Sequence, residues 1–352
     1  DMFPMADGKI PASCNSYTKL PVSEYSYDKN YPFMDRDPRF YRTFAMPGFR
    51  WAYEGDASVA SANNPADGQN YVLWNYVWYT KADDANNVES GNSYGADNLL
   101  NGAKGIYVRK KSDDRDVNGS PLYQYDATAN KGAAPFFSAA QLIELRYAEV
   151  LLNLAEVACG ANQLGEAVGY VNQVRQRAGV PAYDVPGDQA VCMSEILYER
   201  QIEFAYEGKR FDDMRRWLLF DGGANFASIG AKALTGWGGN TCTWLGFKPF
   251  NGQRRENMEF RTADAYGVGG TNYESDPLVK AGVVRPKGVD LRKDLAPQLE
   301  ELKSWYQANL VRKDKKGDSR LAQGDNSKVD LYVKFLPKYY FLGFDSGTST
   351  AN

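Results

Sequence analysis

Hydrophobic residues recur at helical spacing between residues 138 and 220, the most regular pattern in the chain. Positions three or four residues apart predict one buried face, made of Leu145, Ala148, Leu152 and Ala155. The residues beside them predict a polar opposite face, made of Arg146, Glu149, Asn153 and Glu156. Ser138 and Gln141 have the spacing of a capping box, so we expect this first helix to start there.

A second helix follows after a short turn that contains Gly and Asn. Its apolar side is predicted to consist of Leu164, Ala167, Val168, Val171 and Val174. Gly179 is expected to end this helix in a left-handed conformation, and Pro181 prevents it from continuing. Two amphipathic helices joined in this way predict a helical hairpin of the tetratricopeptide kind.

A third helix carries four glutamates at intervals of four residues, which would repel one another without cationic partners. These glutamates are Glu195, Glu199, Glu203 and Glu207. Arginines that can answer them are Arg175, Arg177, Arg200, Arg210, Arg215 and Arg216. Gly208 is expected to break the helix, and Asp212 and Asp213 to open the next one. We interpret the cluster as a structural ion-pair network, with a site for an anionic ligand as the alternative.

Outside this helical region, residues 1–137 and 221–290 are rich in Gly, Asn, Asp and Tyr, which predicts long loops with short strands. Residues 71–79 alternate as a strand would, with Trp74, Tyr76 and Trp78 on one face. Aromatic rings stack on the apolar side of sugars, so we predict a ligand-binding surface from these residues. Further candidates in these regions are Trp51, Trp237 and Trp244. Packing of the loops onto the helices is the alternative for each of them.

Two shorter patterns predict a further helix and a candidate cation-binding loop. Near Pro297 one more helix is predicted, with Leu299, Leu302, Tyr306 and Leu310 as its buried stripe. Asp114, Asp116, Asn118 and Gly119 have the spacing of the first half of a calcium-binding loop. Tyr125 stands where a bidentate Glu would close that loop, so a plain turn is the alternative to a calcium site.

Composition excludes several classes of function. The chain has 352 residues, a net charge of −3 and a pI of about 5.4, so we expect no nucleic-acid partner. It contains no histidine, which removes Ser-His-Asp and Cys-His catalysis and the commonest zinc sites. No other catalytic motif is evident, so we expect a binding protein and no cofactor other than calcium. Cys159 and Cys192 fall in helical segments, where a small buried hydrophobic role is expected.

Several motifs in order resemble the core signature of the SusD/RagB family. They are LRYAEVLLNLAE from Leu145, NQVRQRAGVP from Asn172 and ERQIEFAYEGKRFDDMRRW from Glu199. Upstream, YPFMDRDPRFYRTFAMPG from Tyr31 is also similar to the family. The resemblance implies a mainly α, SusD-like fold with tetratricopeptide-type hairpins and large irregular insertions. We expect a loop-rich region at 1–137, a helical core at 138–220 and an irregular region at 221–352, together forming one structural unit.

The resemblance also implies a function. Family members are lipoproteins on the outer surface of the outer membrane that capture glycan nutrients, without catalysis, for a SusC-like TonB-dependent transporter. Family members begin with a secretion signal and a lipidated cysteine, and Cys14 does not fit that role. We therefore expect the central and C-terminal part of a larger protein, whose lipid anchor would lie outside this chain. Two alternatives remain, a peptide- or protein-binding helical-repeat scaffold and a glycoside hydrolase that uses carboxylates alone.

Overall fold

The computed structural model describes residues 3–12, 20–52, 70–74, 106–112, 114, 117, 143–217, 257–262 and 286–315. The chain forms two compact units, each built from separate segments. The hairpin unit comprises Asp1–Tyr27, Glu144–Arg255 and Lys316–Asn352. The aromatic unit comprises Asp28–Ile143 and Glu256–Lys315. This division differs from the three consecutive regions predicted from the sequence, because the chain leaves and re-enters each unit.

Helices dominate the described residues, which confirms the mainly α fold class. The helices are α1 (Pro38–Thr43), α2 (Tyr147–Gly160), α3 (Leu164–Ala178), α4 (Gln189–Glu203), α5 (Lys209–Arg216) and α6 (Leu295–Asn309). The strands are β1 (Phe44–Ala45), β2 (Phe49–Ala52), β3 (Asn70–Leu73), β4 (Tyr107–Val108), β5 (Asn257–Thr262) and β6 (Leu310–Lys315). They form the antiparallel pairs β1–β4, β2–β3 and β5–β6. Among the described helices, none is both long and apolar enough to cross a bilayer.

Helix α2 starts later than the sequence predicted. Its first residue is Tyr147, and residues 143–146 precede it without helical structure, so a helix running on from Ser138 is wrong. Leu145 is 60% exposed and is not part of the buried face. Arg146 has an extended backbone, and its guanidinium reaches Glu203 and Glu207. These ion pairs hold Arg146 in an extended conformation, so the helix begins at the next residue.

Helix α3 agrees with the sequence. Ala167, Val168, Val171 and Val174 are buried. Gly179 caps the helix with φ 74°, in the left-handed region that favours glycine. The backbone N–H of Val180 then donates to the carbonyl of Arg175 at 3.1 Å. With α2 this helix forms the predicted hairpin.

Helix α4 is buried on nearly all sides, which explains its unusual charge pattern. The carboxylate of Asp188 caps it by accepting hydrogen bonds from the backbone N–H groups of Ala190 and Val191. Twelve of its fifteen residues are buried. Glu195, Glu199 and Glu203 are among these, so their charges lie inside the hairpin unit.

The core of the aromatic unit is built from rings. Tyr306 of α6 meets Phe33 and Phe260 edge to face, with ring centroids 5.1 Å and 4.9 Å apart. Its hydroxyl donates to the carbonyl of Pro47 at 2.6 Å. The helix predicted near Pro297 is confirmed as α6, and its predicted stripe is buried: Leu299, Leu302, Tyr306 and the capping residue Leu310.

Candidate functional site

Two of the three buried glutamates of α4, Glu199 and Glu203, pair with arginines from neighbouring elements of the hairpin unit. Arg175 of α3 donates to Glu199 at 3.0 Å, and both side chains are almost fully buried. Arg146 and Arg177 both donate to Glu203, each at 2.6 Å. The predicted ion-pair network is therefore present in part. Arg175 and Arg177 were expected as partners of these glutamates, and Arg146 was not.

A second part of the network joins α2, α4 and α5. Arg200 donates to both oxygens of Asp213, at 2.9 and 3.0 Å, and to the amide oxygen of Asn153 at 2.7 Å. Arg216 donates to Glu156 through both terminal nitrogens and to Asp213 at 2.8 Å. Burial alone would lower the pKa of Arg216, but its hydrogen bonds with Glu156 raise it above the ordinary value. Each of these arginines has carboxylate partners.

A cavity of about 450 Å³ lies over this second part of the network. Its lining is charged and polar, with one apolar side chain: Glu149, Asn153, Glu156, Val157, Arg200, Lys209, Asp212, Asp213 and Arg216. Lys209 pairs with Glu149 at 3.1 Å across α2 and α5. Positive and negative groups are nearly balanced, so the lining offers hydrogen-bond donors and acceptors to a polar neutral ligand. This charged cavity is the candidate site that the described residues form.

Trp217 adds an aromatic group beside the charged cavity. Its indole N–H donates to Glu156 at 3.3 Å, and its ring is half-buried. The sequence predicted only a packing role for Trp217. Nothing local signals this position, because Glu156 lies on α2 and Trp217 follows α5.

Two of the predicted aromatic site residues are core residues. Trp74 is 1% exposed, and its ring lies 4.8 Å from that of Trp305. Trp51 is also buried, against Tyr107 and beneath the guanidinium of Arg109. Neither side chain presents a face on which a sugar could stack, which corrects the prediction for these two positions. Tyr76, Trp78, Trp237 and Trp244 lie outside the described residues and stay predictions.

The predicted alternation is wrong at the end of β3, between Leu73 and Trp74, and residues 75–79 lie outside the described residues. The strand ends at Leu73, and Leu73 and Trp74 are both 1% exposed. Alternation requires a continuing strand, and here the chain leaves the strand between the two residues. Leu73 and Trp74 are therefore both buried, although a continuing strand would place their side chains on opposite faces.

Asp114 does not face an open loop. Its carboxylate is fully buried and accepts from Nε of Arg109 at 2.6 Å. The same guanidinium donates to the carbonyls of Tyr41 and Arg50, at 3.3 and 2.8 Å. This buried ion pair corrects the calcium interpretation for Asp114, while Asp116 and Asn118 lie outside the described residues. Within the described residues no three acidic or Cys side chains are grouped to hold a metal ion.

Comparison with known proteins identifies relatives of one family. The profile of the SusD family matches residues 1–265. The chain is 34% identical over 108 residues to SusD-like protein P2 of Formosa agariphila, which covers 28% of this chain and 20% of that protein. A SusD-like protein from Bacteroides fragilis is similar at 27% identity over 62% of this chain and 34% of that chain, with a TM-score of 0.39.

A SusD superfamily protein from Bacteroides vulgatus is similar at 23% identity, with a TM-score of 0.29. That match covers 52% of this chain and 29% of the other. The chain thus spans about a third or less of the length of the relatives it matches.

Proposed function

The chain belongs to the SusD family, and from this membership we propose that it captures glycan nutrients and leaves them chemically intact. The observation that carries the proposal is the family match, which extends over residues 1–265. The proposed location is the outer surface of the outer membrane, with attachment through a lipid anchor. The proposed partner is a SusC-like TonB-dependent transporter that receives the glycan.

The described geometry supports binding without turnover. Two carboxylates that line the charged cavity, Glu156 and Asp213, accept hydrogen bonds from Arg200 or Arg216. A hydrolase with two carboxylates needs one of them as a proton donor to the leaving group. Carboxylates engaged with guanidinium groups are suited to holding polar ligands and poorly suited to that task.

Glycan contacts are proposed for two regions. Trp51 and Trp74 are buried, so we assign ring stacking to the other predicted aromatic residues. These are Tyr76, Trp78, Trp237 and Trp244. We assign hydrogen bonding to the sugar hydroxyls to the charged cavity, whose lining combines donors and acceptors. Stacking contributes affinity, and hydrogen bonds from a polar lining contribute specificity.

A polysaccharide panel tests the proposal directly. We expect at least one glycan to bind in calorimetry or affinity electrophoresis, with its chain length unchanged after prolonged incubation. Trp78→Ala should weaken binding about tenfold or more if Trp78 is an anchor. Asp212→Asn alters an exposed acid of the charged cavity and should change the order of preference among glycans. Shortening of the glycan that stops when one carboxylate is replaced would identify a hydrolase.

One observation favours a second candidate, the protein-binding scaffold. Four apolar residues along α2 are exposed at helical spacing: Tyr147, Val150, Leu154 and Val157. Exposed apolar stripes of this kind mark surfaces that bind protein segments. Tyr147→Ala should leave glycan affinity unchanged under the main proposal. Loss of peptide binding in Tyr147→Ala, with no glycan bound by the unaltered chain, would favour the second candidate.

A further inference from the structure

Two buried cysteines meet where α2 packs against α4. Cys159 lies near the end of α2 and Cys192 in the first turns of α4, and both are free thiols with no exposed surface. The Cys159 thiol donates to the carbonyl of Gln189 at 3.4 Å. The Gln189 amide in turn donates to the carbonyl of Cys159 at 2.7 Å. Gln189 precedes Cys192 by three residues, so both lie on the side of α4 that faces Cys159.

The two thiols also interact with each other. A hydrogen bond from the Cys192 thiol lowers the pKa of the Cys159 thiol below its ordinary value. The same hydrogen bond, together with burial, raises the pKa of Cys192. Burial and the nearby carboxylates of Glu156 and Glu195 oppose ionisation of Cys159, and the hydrogen bond outweighs them. In the packed helices Cys159 is therefore the more acidic thiol, and Cys192 donates to it.

From this placement we propose that Cys159 and Cys192 form a disulfide that links α2 to α4 when the protein meets a small-molecule disulfide oxidant such as oxidised glutathione. While α2 and α4 are not yet packed, one of the two cysteines attacks, as its thiolate, one sulfur of the oxidant and releases the other half as a thiolate. The other cysteine, as its thiolate, then attacks the protein sulfur of the mixed disulfide and releases the second half. The oxidant gains two electrons and the two thiol protons, and it leaves as two thiols.

Burial determines when this reaction occurs. Neither thiol has exposed surface, so the oxidant cannot reach them in the closed hairpin unit. Oxidation is therefore fast while the chain folds and slow once α2 and α4 have packed. Once formed, the disulfide restricts the unfolded chain between two helices that are distant in sequence, which stabilises the folded protein.

Refolding in a glutathione redox buffer, followed by alkylation and peptide mapping, tests the proposal on the full chain. In the unaltered protein we expect a cross-linked peptide that contains Cys159 and Cys192 and disappears on reduction. A Cys14→Ser/Cys242→Ser variant keeps only the proposed pair. Its oxidised form should unfold at higher urea concentration than its reduced form. The same oxidant added to folded protein should act much more slowly.

The matched control is the Cys159→Ser/Cys192→Ser variant, which keeps Cys14 and Cys242. Oxidation should leave its urea midpoint unchanged. Recovery of Cys159 and Cys192 as alkylated thiols after oxidative refolding would overturn the proposal. So would cross-links that join either cysteine only to Cys14, to Cys242 or to glutathione. Peptide mapping of the unaltered chain decides the matter even if a serine variant does not fold.

Discussion

The hairpin unit and the aromatic unit hold their loops in place with different side chains. In the hairpin unit, the Arg175 guanidinium donates to the carbonyl of Gly8 at 3.3 Å and to that of Pro181 at 2.7 Å, while it pairs with Glu199. In the aromatic unit, the loop at Gly48 packs against ring and aliphatic carbons, and the hydroxyl of Tyr306 donates to Pro47. Charge fixes loop positions in one unit, and ring packing fixes them in the other.

The two ways of holding a loop differ in what they require. A buried arginine must have every nitrogen satisfied, and so it specifies its partners closely. Packed rings gain from burial without demanding particular atoms, and they lose most when a ring is removed. The division is not complete, because Arg109 and Asp114 form a buried ion pair inside the aromatic unit. The Arg109 guanidinium also donates to backbone carbonyls, as Arg175 does in the hairpin unit.

The largest effect is expected from removing a ring. Trp74→Ala should lower the free energy of unfolding by about 4–5 kcal/mol, because the indole is essentially fully buried against Trp305. Urea denaturation measures the loss. Tyr147→Ala removes a ring that is 72% exposed, and it should cost no more than about 0.5 kcal/mol. Similar losses from both substitutions would mean that burial of the ring does not determine how much stability is lost.

The second prediction compares two buried glutamates of α4 whose arginine partners differ in exposure. Glu199→Ala leaves the buried Arg175 without this carboxylate and should cost about 3–4 kcal/mol. Glu203→Ala should cost less, because the side chain of Arg177 is 59% exposed and can be solvated. Urea denaturation of both variants gives the order. An equal or larger loss from Glu203→Ala would show that exposure of the partner does not set the cost.

Local patterns predicted the parts of the fold that depend on neighbours in sequence. The buried face of α3, its end at Gly179 and the position of α6 follow from spacing alone. The start of α2 did not, because Ser138 and Gln141 have cap spacing but Arg146 is held by ion pairs to distant residues. Capping signals fail where a tertiary contact decides the helix end.

The candidate site was harder to predict than the fold. Arg200 and Arg216 were expected in an ion-pair network, but their partners Glu156 and Asp213 were not, and the cavity exists only where three helices meet. For Trp74, the error was to extend strand alternation past Leu73, where β3 ends. For Asp114, the spacing resembled a cation loop, but Arg109 lies close in sequence and supplies the positive charge. The first error came from the end of a strand and the second from a side-chain contact, and neither is part of the sequence pattern.

A third prediction compares glycines in left-handed conformations, one in each unit. Gly48 has φ 93°, and a Cβ there would overlap the side chain of Leu302 and approach the ring of Trp74 to 3.2 Å. Gly48→Ala should therefore cost about 2–3 kcal/mol from backbone strain and overpacking together. Gly179 has φ 74° with open space around it, so Gly179→Ala should cost about 1 kcal/mol. Urea midpoints of the two variants check the difference, and equal losses would leave packing at Gly48 without effect.

The last prediction concerns pH, where the two units respond with opposite sign. Burial raises the pKa of Glu195 in α4 from 4.5 to about 7, with Arg175 opposing the shift and Asp184 adding to it. Between these values the folded state keeps the proton and the unfolded state has lost it. Stability therefore falls as pH rises from 4.5 to 7, by on the order of 3 kcal/mol. Glu195→Gln should remove this fall, as urea midpoints between pH 5 and 8 would show.

Asp290 of the aromatic unit provides the contrast. Its hydrogen bond from Arg292, opposed by burial and aided by Arg50, lowers its pKa from 3.8 to about 2. The stabilisation it gives is present above pH 3.8 and is lost as pH falls toward 2, so Asp290→Asn should matter at neutral pH and not at pH 2. Glu195→Gln acts in the other direction and has its largest effect above pH 7. Parallel pH profiles for the unaltered chain and Glu195→Gln would mean that Glu195 titrates normally. The orphaned Oε2 of this buried carboxyl would then have a partner such as water.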